Sequence, residues 1–579
     1  MRHKGVVVLV NPNQIHPPIA PYALDVLTTA LEAAGFEAHV LDLTFHADDW
    51  RQVLRTYFRD AGRPLLVGVT CRNTDTVYAF EQRPFVDRYK EVIDEIRRLT
   101  DSPVVTGGVG FSTMPFALVD YFGVDFGVKG PGEHILCELA EALHDGRPAD
   151  GVPGLLVNRG RGKVVRVPPP VLSELRTAVT ASLPFPTGRE EGRAWQVETE
   201  LPYTRRSGVP YKVDNLTYYR LGGLGSILTK NGCVYRCTQC VEPDAKGTRL
   251  TRRSVASVVD EIESLTGQGI YDLHTTDSEF NLSIAHSKQL LREIIRRKDG
   301  DASGSLHRLR LWVYCQPSPF DEELAELLAH AGCAGVNIGT DHVRSDMLDG
   351  WKVTKKGTRY YGFEDTARLV ELSHRYGMLT MVEALLGMPG ETRETMRECV
   401  DRLMDLDATV TGFSLGLRLF PYTDLAISLA RRCDGVRTLP GLQSNNATGP
   451  IILKPMEKCS GPIEYERQFM FDESGGFRLV CYFSPDLPES PETVNSPNGI
   501  WHESVDFLWS HIPESEYYRV MLPTLNGSSE NDNNYADNPF LTSLKRKGYT
   551  GAFWAHWRDR ENIMNGTGAL EALAAEAAR

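Results

Sequence analysis

Two separate stretches of this chain alternate short apolar runs with amphipathic helical patterns, and that alternation limits the fold more than any other feature. In residues 1–150 the apolar runs fall at 6–10, 38–41, 65–70, 104–106 and 126–128. Helical patterns at 21–34, 85–99 and 133–143 lie between them. Strands that are apolar throughout are buried on both faces, and intervening helices are the crossovers of a parallel sheet. A doubly wound parallel sheet follows. Ligands of such sheets bind beyond the carboxyl ends of the strands. Those ends are the loops 11–18, 71–76, 107–112 and 129–133.

The second array runs from about residue 224 to 425. Its strand candidates are 226–229, 272–275, 309–313, 335–338, 379–384 and 412–417. Helical patterns at 254–265, 286–297, 322–330, 363–376 and 392–406 alternate with them. Six β/α units make a partial barrel, short of the closed eightfold form. Residues 151–222 are proline-rich (VPPPVL, SLPFPT) and read as a linker and cap. Residues 426–579 lose the alternation and read as a mixed domain that covers the substrate. Their aromatic segment AFWAHWRDREN (552–562) reads as helix packing in a core. The expected fold class is therefore α/β: a doubly wound sheet over 1–150, the linker, a partial (β/α)6 barrel over 223–425, and the mixed C-terminal domain.

The chain has 579 residues, 41% hydrophobic and 24% charged, the balance of a globular protein with sizeable cores. Its formal charge of −13 disfavours nucleic acid, whose phosphates call for a basic surface. No apolar run is long enough to cross a membrane. The start, MRHKGVVVLVNPN, reads as a first strand, because its apolar run is short and no small-residue cleavage site follows. A cytoplasmic protein is expected, with no membrane partner. Most of its 11 cysteines are then small buried thiols.

Three cysteines are different. Cys233, Cys237 and Cys240 lie in NGCVYRCTQC, a C-x3-C-x2-C spacing directly after the first strand of the second array. Three thiolates on one short loop hold three irons of a cubane [4Fe-4S] cluster and leave the fourth open. Zinc normally takes four ligands, often from two Cys-x2-Cys pairs, and there is no second pair.

This loop, its place in the array, and the downstream GMPGET (387–392) and RLFPYT (418–423) resemble the radical S-adenosylmethionine enzymes. The first array resembles the cobalamin-binding domain often fused in front of them. TGGVGFS (106–112) and KGPGE (129–133) are similar to the glycine-rich turns by which that domain meets the corrin and its nucleotide tail. The resemblance implies cobalamin contacts at Gly107, Gly108, Gly110, Gly130, Gly132 and Glu133, joined by Asn73 and Thr74 of the TCRNTD loop.

The chain departs from the family pattern in several places. The D-x-H-x-x-G motif that puts a histidine under cobalt is missing, which implies cobalamin without a histidine lower ligand. His16 in NPNQIHPP is the nearest substitute and reads equally as a loop histidine. Arg72 would face the corrin and keep the lower face unligated, since a guanidinium stays protonated. It also reads as an ordinary surface or phosphate-pairing arginine. Gln239 stands where the family carries an aromatic residue near the adenine of S-adenosylmethionine. TTDSEFN (275–281) replaces the glycine-rich turn that holds the methionine amino group. Its Glu279 is either a turn carboxylate or a ligand of the open iron. As a ligand it would suppress cleavage to a 5′-deoxyadenosyl radical.

Further candidates end the barrel strands. Tyr314, in WVYCQP, either relays a substrate proton or packs. Gln316 beside it, with Asn337 and Thr340 of VNIGTDH, are polar contacts for S-adenosylmethionine. Asp341 and His342 read as structural hydrogen bonding.

The whole set is most similar to the cobalamin-dependent tryptophan 2-methyltransferases of thiopeptide antibiotic biosynthesis. That resemblance implies three cofactors: the [4Fe-4S] cluster, cobalamin and S-adenosyl-L-methionine. It implies a methyl carried by way of methylcobalamin to carbon 2 of the indole of L-tryptophan or a related aromatic, without a 5′-deoxyadenosyl radical. Arg72 and Tyr314 would be the catalytic side chains, and a flavodoxin or ferredoxin system the electron-donating partner. The alternative is a radical enzyme of the same architecture that methylates an sp3 carbon or rearranges a ring of a natural-product precursor. A non-catalytic sensor would need an output module such as a helix-turn-helix, and residues 426–579 read as none.

Overall fold

The structure is a computed structural model. It describes residues 4–15, 18–76, 84–160, 162–167, 199–200, 211–352, 359–444, 449–523, 540, 543–544 and 547–565. His16 lies outside the described residues.

Among these residues the first sheet comprises β1 (Val6–Asn11), β2 (Glu37–Asp42), β3 (Leu66–Thr70), β4 (Val104–Gly107), β5 (Phe126–Val128), β6 (Leu155–Asn158) and β7 (Val164–Arg166). Their order is β2-β1-β3-β4-β5-β6-β7. The first five run parallel, as continuous apolar strands require. One face, with Val7, Leu9 and Leu66, packs on Leu24, Leu31, Leu136 and Leu139 of the helices Tyr22–Ala33 and Glu133–His144. The other face, with Val8, Val10, Val67 and Val69, packs on Trp50, Leu54, Ile93 and Phe122. Residue 150 is not the end of this sheet. The hairpin β6–β7 adds two antiparallel strands from the stretch that reads as linker. Strands this short carry too few alternations to stand out in sequence.

The barrel strands are β8 (Gly225–Ile227), β9 (Asp272–Thr275), β10 (Arg310–Cys315), β11 (Cys333–Asp341), β12 (Leu379–Leu386) and β13 (Val410–Leu415). They lie side by side in chain order, all parallel. Side chains alternate across each strand. Leu273, Leu311, Val313, Val336, Ile338, Val382 and Ala384 face outward into one core with the covering helices. Burying each Leu, Val or Ile among them is worth about 1.5–3 kcal/mol. The residues between them, among them His274, Trp312, Tyr314, Asn337, Gly339, Met381 and Glu383, therefore face the lumen. Its floor is apolar: Trp312, Met381 and Val410 meet Trp554 and Trp557. The Trp312 and Trp554 rings meet edge to face with centroids 5.5 Å apart. The aromatic segment near the end of the chain is thus core packing, as its sequence reads.

The region after residue 425 is not a single layer of its own. Strands β14 (Leu417–Arg418), β15 (Leu442–Gln443) and β16 (Cys481–Tyr482) form a small antiparallel sheet. Leu425, Phe469, Met470 and Leu479 around it share the core beneath the first sheet. Strand β17 (Val520–Met521) instead pairs parallel with β13 and gives the barrel sheet a seventh strand. Both halves serve as packing for domains earlier in the chain, which two-residue strands cannot announce in sequence.

These contacts fix how the two arrays face each other. Arg418, which opens RLFPYT, pairs with Asp75 at 3.4 Å, and both side chains are buried. Glu466 accepts a hydrogen bond from the Ala117 backbone N–H at 2.7 Å and one from the Tyr422 hydroxyl at 2.5 Å. Lys129, from the KGPGE turn, lies 3.8 Å from Asp244 of the barrel and 5.0 Å from the Tyr422 ring centroid. The helix Val109–Thr113 packs on the helix Glu242–Lys246, which follows the three-cysteine loop. The carboxyl ends of the first sheet and of the barrel therefore open toward one another.

Candidate active site

The three-cysteine loop starts at Gly232, whose φ is +93°. A Cβ there would stand 1.8 Å from the Arg249 carbonyl oxygen, so only glycine fits this turn. Backbone hydrogen bonds then pin the loop: Cys233 N to Gly247 O at 3.0 Å, Thr238 N to Trp351 O at 3.2 Å, and Leu425 N to Thr238 O at 3.0 Å. Cys233 and Cys237 are buried and Cys240 is half-buried. Burial pushes the Cys233 thiol up to about 12, with the neighbouring Cys237 and Glu279 adding to it. Burial also raises Cys237 and Cys240. The three thiols lie near enough to raise one another. Among the described residues, no three His, Cys, Asp or Glu groups close into a set for a single metal ion. A cubane spreads its thiolates over separate irons and needs a wider arrangement.

Glu279 projects from a loop whose other members are committed elsewhere. Asp277 accepts from the Thr229 N–H at 2.7 Å and binds the Lys230 ammonium at 2.7 Å. Ser278 donates to Glu242 at 2.8 Å, and Asn281 donates to the carbonyls of Gln316 and Pro319 at 2.7 and 2.8 Å. Glu279 itself leaves Oε2 buried without a partner. Burial lifts its carboxyl to about 8, Lys352 opposing and Asp341 and Glu242 reinforcing. It stands close enough to Cys233 and Cys237 to raise both thiols.

Lys352 was not legible in the sequence. It is buried, 2.7 Å from Asp341, which also accepts from the Tyr361 hydroxyl at 2.7 Å. It donates a hydrogen bond to Cys237. Burial works against its charge, yet Asp341, Tyr361 and Cys237 hold its pKa well above the ordinary value. Asp341 therefore does structural hydrogen bonding, as read, but for a cation at the cysteine loop.

Above the Trp floor the lumen turns polar. The His274 and Tyr314 rings meet edge to face at 5.5 Å. Tyr314 stands in register with Asn337. Asn337 donates to Glu383, whose carboxyl burial lifts to about 7. Burial lowers His274 to about 4, so the imidazole is neutral at physiological pH. Gln316 is held through its backbone by Asn281, with Gln316 N to Oδ1 at 3.0 Å. Buried and without partners are Gln316 Oε1, Asn337 Oδ1 and Thr340 Oγ1. Buried polar atoms are almost always satisfied, so the orphaned oxygens of Gln316 and Asn337, at lumen-facing positions of neighbouring strands, mark where a polar ligand belongs. Glu383 was missed by sequence reasoning, although a lone carboxylate inside the apolar run LTMVEALL was a signal.

On the first-sheet side, Arg72, Asn73 and Thr74 follow β3. Arg72 is half-buried and donates to Asn73 Oδ1 at 2.7 Å, and Thr74 donates to Asp75 at 2.8 Å. Gly107, Gly108 and Gly110 let the next turn lie against this loop. A Cβ on Gly108 would stand 2.6 Å from Cys71 O, and one on Gly110 2.8 Å from Arg72 O. Gly130 N donates to Ser112 Oγ at 2.9 Å, which ties the two glycine turns together. Gly132 precedes the helix that begins at Glu133, whose carboxyl burial raises. Val109, at the tip of the first turn, is an exposed apolar side chain. Gln239 is half-buried in the cysteine loop, its Oε1 3.5 Å from Thr238 Oγ1. The site residues thus form two groups, one on each facing carboxyl edge.

Known proteins divide in the same two places. Residues 5–140 match the B12 binding domain and residues 227–403 the Radical SAM superfamily. The chain is 75% identical to a Tryptophan 2-C-methyltransferase of Streptomyces laurentii, over 98% of each chain. The chain belongs to this family of cobalamin-binding radical S-adenosylmethionine methyltransferases. The structure of the radical S-adenosylmethionine methyltransferase TsrM from Kitasatospora setae, with cobalamin and a [4Fe-4S] cluster bound, superposes with a TM-score of 0.89 at 65% identity, covering 99% of this chain and 100% of that one. The same enzyme with tryptophan and an S-adenosylmethionine analogue bound gives a TM-score of 0.88 at 65% identity, covering 97% of this chain and 100% of that one. As in other members of this family, the cofactors are the cluster, cobalamin and S-adenosylmethionine. The residues present fit them. Thiols raised by burial are the groups that cationic iron would relieve. The orphaned lumen oxygens fit small polar ligands. The close-packed glycine edge with exposed Val109 fits a broad apolar macrocycle. Among the described residues no helix is long and apolar enough to cross a membrane.

Proposed function

We propose that this methyltransferase moves a methyl group from S-adenosylmethionine to carbon 2 of the indole of L-tryptophan, without making a 5′-deoxyadenosyl radical. The observation that carries the reading is its near-complete match to a Tryptophan 2-C-methyltransferase, 75% identical over 98% of both chains. In this reading residues 1–150 with the β6–β7 hairpin bind cobalamin, the rest of 151–222 links and caps, 223–425 hold the cluster and S-adenosylmethionine, and 426–579, besides packing on both arrays, cover the substrate. Cobalamin, when bound, supplies a methyl carrier that is nucleophilic when reduced and a methyl donor when loaded.

The side chains of this protein do the rest. Cys233, Cys237 and Cys240 hold the cluster. Glu279, with its unpartnered oxygen beside those thiols, takes the fourth iron. S-adenosylmethionine is then kept from chelating that iron, and its sulfonium is left to lose a methyl. Arg72 stays protonated under the corrin, so it offers cobalt no lone pair and its charge repels the electrophilic metal, which keeps the lower face unligated. Asn73, Thr74, Gly107, Gly108, Gly110, Gly130, Gly132 and Glu133 shape the corrin's bed. Gln239, Gln316, Asn337 and Thr340 orient S-adenosylmethionine. Indole carbon 2 is nucleophilic. After it gains the methyl it must shed one proton, and Tyr314 relays that proton out. The balance is one methyl moved, one proton released, and S-adenosylhomocysteine left. Reduced cobalt calls for an electron-donating partner of the flavodoxin or ferredoxin kind. A reducing cytoplasm suits that partner and a chain whose described cysteines form no disulfide.

The test is incubation of reconstituted protein with S-adenosylmethionine, cobalamin, a reductant and tryptophan deuterated at carbon 2. The expected product is 2-methyltryptophan with that deuterium lost and no matching 5′-deoxyadenosine. Product methylated on an sp3 carbon, with stoichiometric 5′-deoxyadenosine, would establish the radical alternative instead.

A further inference from the structure

One part of the barrel lumen is not used by the steps above. Glu383 on β12 pairs in register with Gly339 on β11. Across β11, Cys315 pairs with Ile338, which brings the next residue, Gln316, to the level of Gly339. Gly339 thus sits between Gln316 and Glu383 in one cross-section of the barrel. A Cβ built on Gly339 would meet nothing within 4 Å. The space between the two side chains is open.

The walls of that space are acceptors. Gln316 is 3% exposed and its Oε1 has no partner. Asn337 is 6% exposed, spends its amide N–H on Glu383, and leaves Oδ1 without a partner. Glu383 offers a carboxylate. Asn337 donates to it, and the negative charge of Asp341 adds to the effect of burial in raising its carboxyl. Three convergent acceptors around an open volume fit a group with three donors and no acceptor, which is an ammonium. A guanidinium is wider and planar, and a neutral amide would bring an acceptor of its own.

We infer that Glu383, with Gln316 Oε1 and Asn337 Oδ1 over Gly339, is the binding site for the α-ammonium of an amino-acid ligand in the barrel. This rests on the proposed reading that amino-acid ligands occupy the lumen. Two of them carry that group: the tryptophan substrate and the methionine part of S-adenosylmethionine. The raised carboxyl of Glu383 agrees with a site whose counter-charge arrives with the ligand.

The test uses holoprotein reconstituted with cluster and cobalamin, with binding followed by calorimetry. The ligands are tryptophan and its deaminated analogue indole-3-propionate, and S-adenosylmethionine and its deaminated analogue. Glu383→Gln keeps the shape and removes the charge. Its affinity should fall about ten- to a hundredfold for the amino acid held there, the usual worth of a hydrogen bond to a charged group. Affinity for the deaminated partner of that ligand should not change. Loss confined to the tryptophan pair assigns the site to substrate, and loss confined to the S-adenosylmethionine pair assigns it to the methyl donor. Gly339→Val fills the open space and should weaken the same ligand, at parental iron and cobalamin content. If Glu383→Gln binds both amino acids with parental affinity, or loses amino and deaminated ligands equally, the assignment is overturned. If the parent binds S-adenosylmethionine but not tryptophan, the proposed substrate is what fails, and the S-adenosylmethionine pair still decides the ammonium site.

Discussion

The two facing edges of this enzyme prepare for their ligands in opposite ways. On the first sheet, several of the residues expected at cobalamin are bonded within the protein. Arg72 is bonded to Asn73, Thr74 to Asp75 and Gly130 to Ser112, and the glycines let backbone lie on backbone. On the barrel side, Glu279, Gln316, Asn337 and Thr340 each keep a buried polar atom without a partner. The difference follows from ligand size. A broad macrocycle is held by a pre-formed surface of backbone and apolar tips. A small polar ligand inside a barrel is held by side chains that stay unsatisfied until it arrives, at a cost of about 1–3 kcal/mol for each orphaned group.

If the two edges are independent binding surfaces, damage to one should spare the other. The largest effect belongs to replacement of Cys233, Cys237 and Cys240 together by Ala. Iron, sulfide and the brown absorbance of the cluster should vanish, while cobalamin still remains bound after desalting. Loss of cobalamin in that variant would show that the first sheet needs the cluster side to complete its site.

The reciprocal change is Gly110→Ala. Its Cβ would stand 2.8 Å from Arg72 O and from the Asn73 backbone, which cannot swing away as a side chain can. Overpacking of this kind costs about 1–3 kcal/mol. Cobalamin retention should fall with iron content unchanged. Equal loss of iron would mean that the strain spreads through the interface and the edges are coupled.

Tyr314→Phe probes the polar lumen more finely, since it removes one oxygen and keeps the ring. Single-turnover formation of S-adenosylhomocysteine should survive. Release of methylated product should slow by at least about tenfold, the low side of general acid–base assistance. Parental rates for both steps would make Tyr314 a packing residue.

The smallest effect is on the pH dependence of stability without ligands. Burial holds the Glu383 carboxyl near 7, above its ordinary range. The folded state therefore keeps a proton that the unfolded chain releases, and this contribution to stability is lost as pH rises from about 4.3 toward 7. Between about pH 5 and about pH 7.5 the Tm of the parent should fall relative to that of Glu383→Gln. Curves that stay parallel would mean that Glu383 is charged and paired in the empty barrel.

Much of this protein was present in local pattern. The five parallel strands of the first sheet and the six of the barrel lie where apolar runs alternate with helices, because burial on both faces writes itself into consecutive residues. Cys233, Cys237 and Cys240 could be read from spacing, because one short loop holds all three. Glu279, Gln316 and Thr340 could be placed at strand ends, because a parallel array puts its loops at one mouth, whereas Asn337 lies in the middle of a strand that runs longer than its apolar pattern. Tertiary structure alone decided the rest. Lys352 reaches Cys237 from more than a hundred residues away, and Arg418 pairs with Asp75 across 343 positions. No local period records such contacts. Two-residue strands such as Val520–Met521 take their place from the partner they join, because so short a segment has no preference of its own. The open space over Gly339 depended on the register of three strands at once. An absent side chain in a sequence does not say whether its volume is filled, and only the neighbours that pack, or fail to pack, around it determine that.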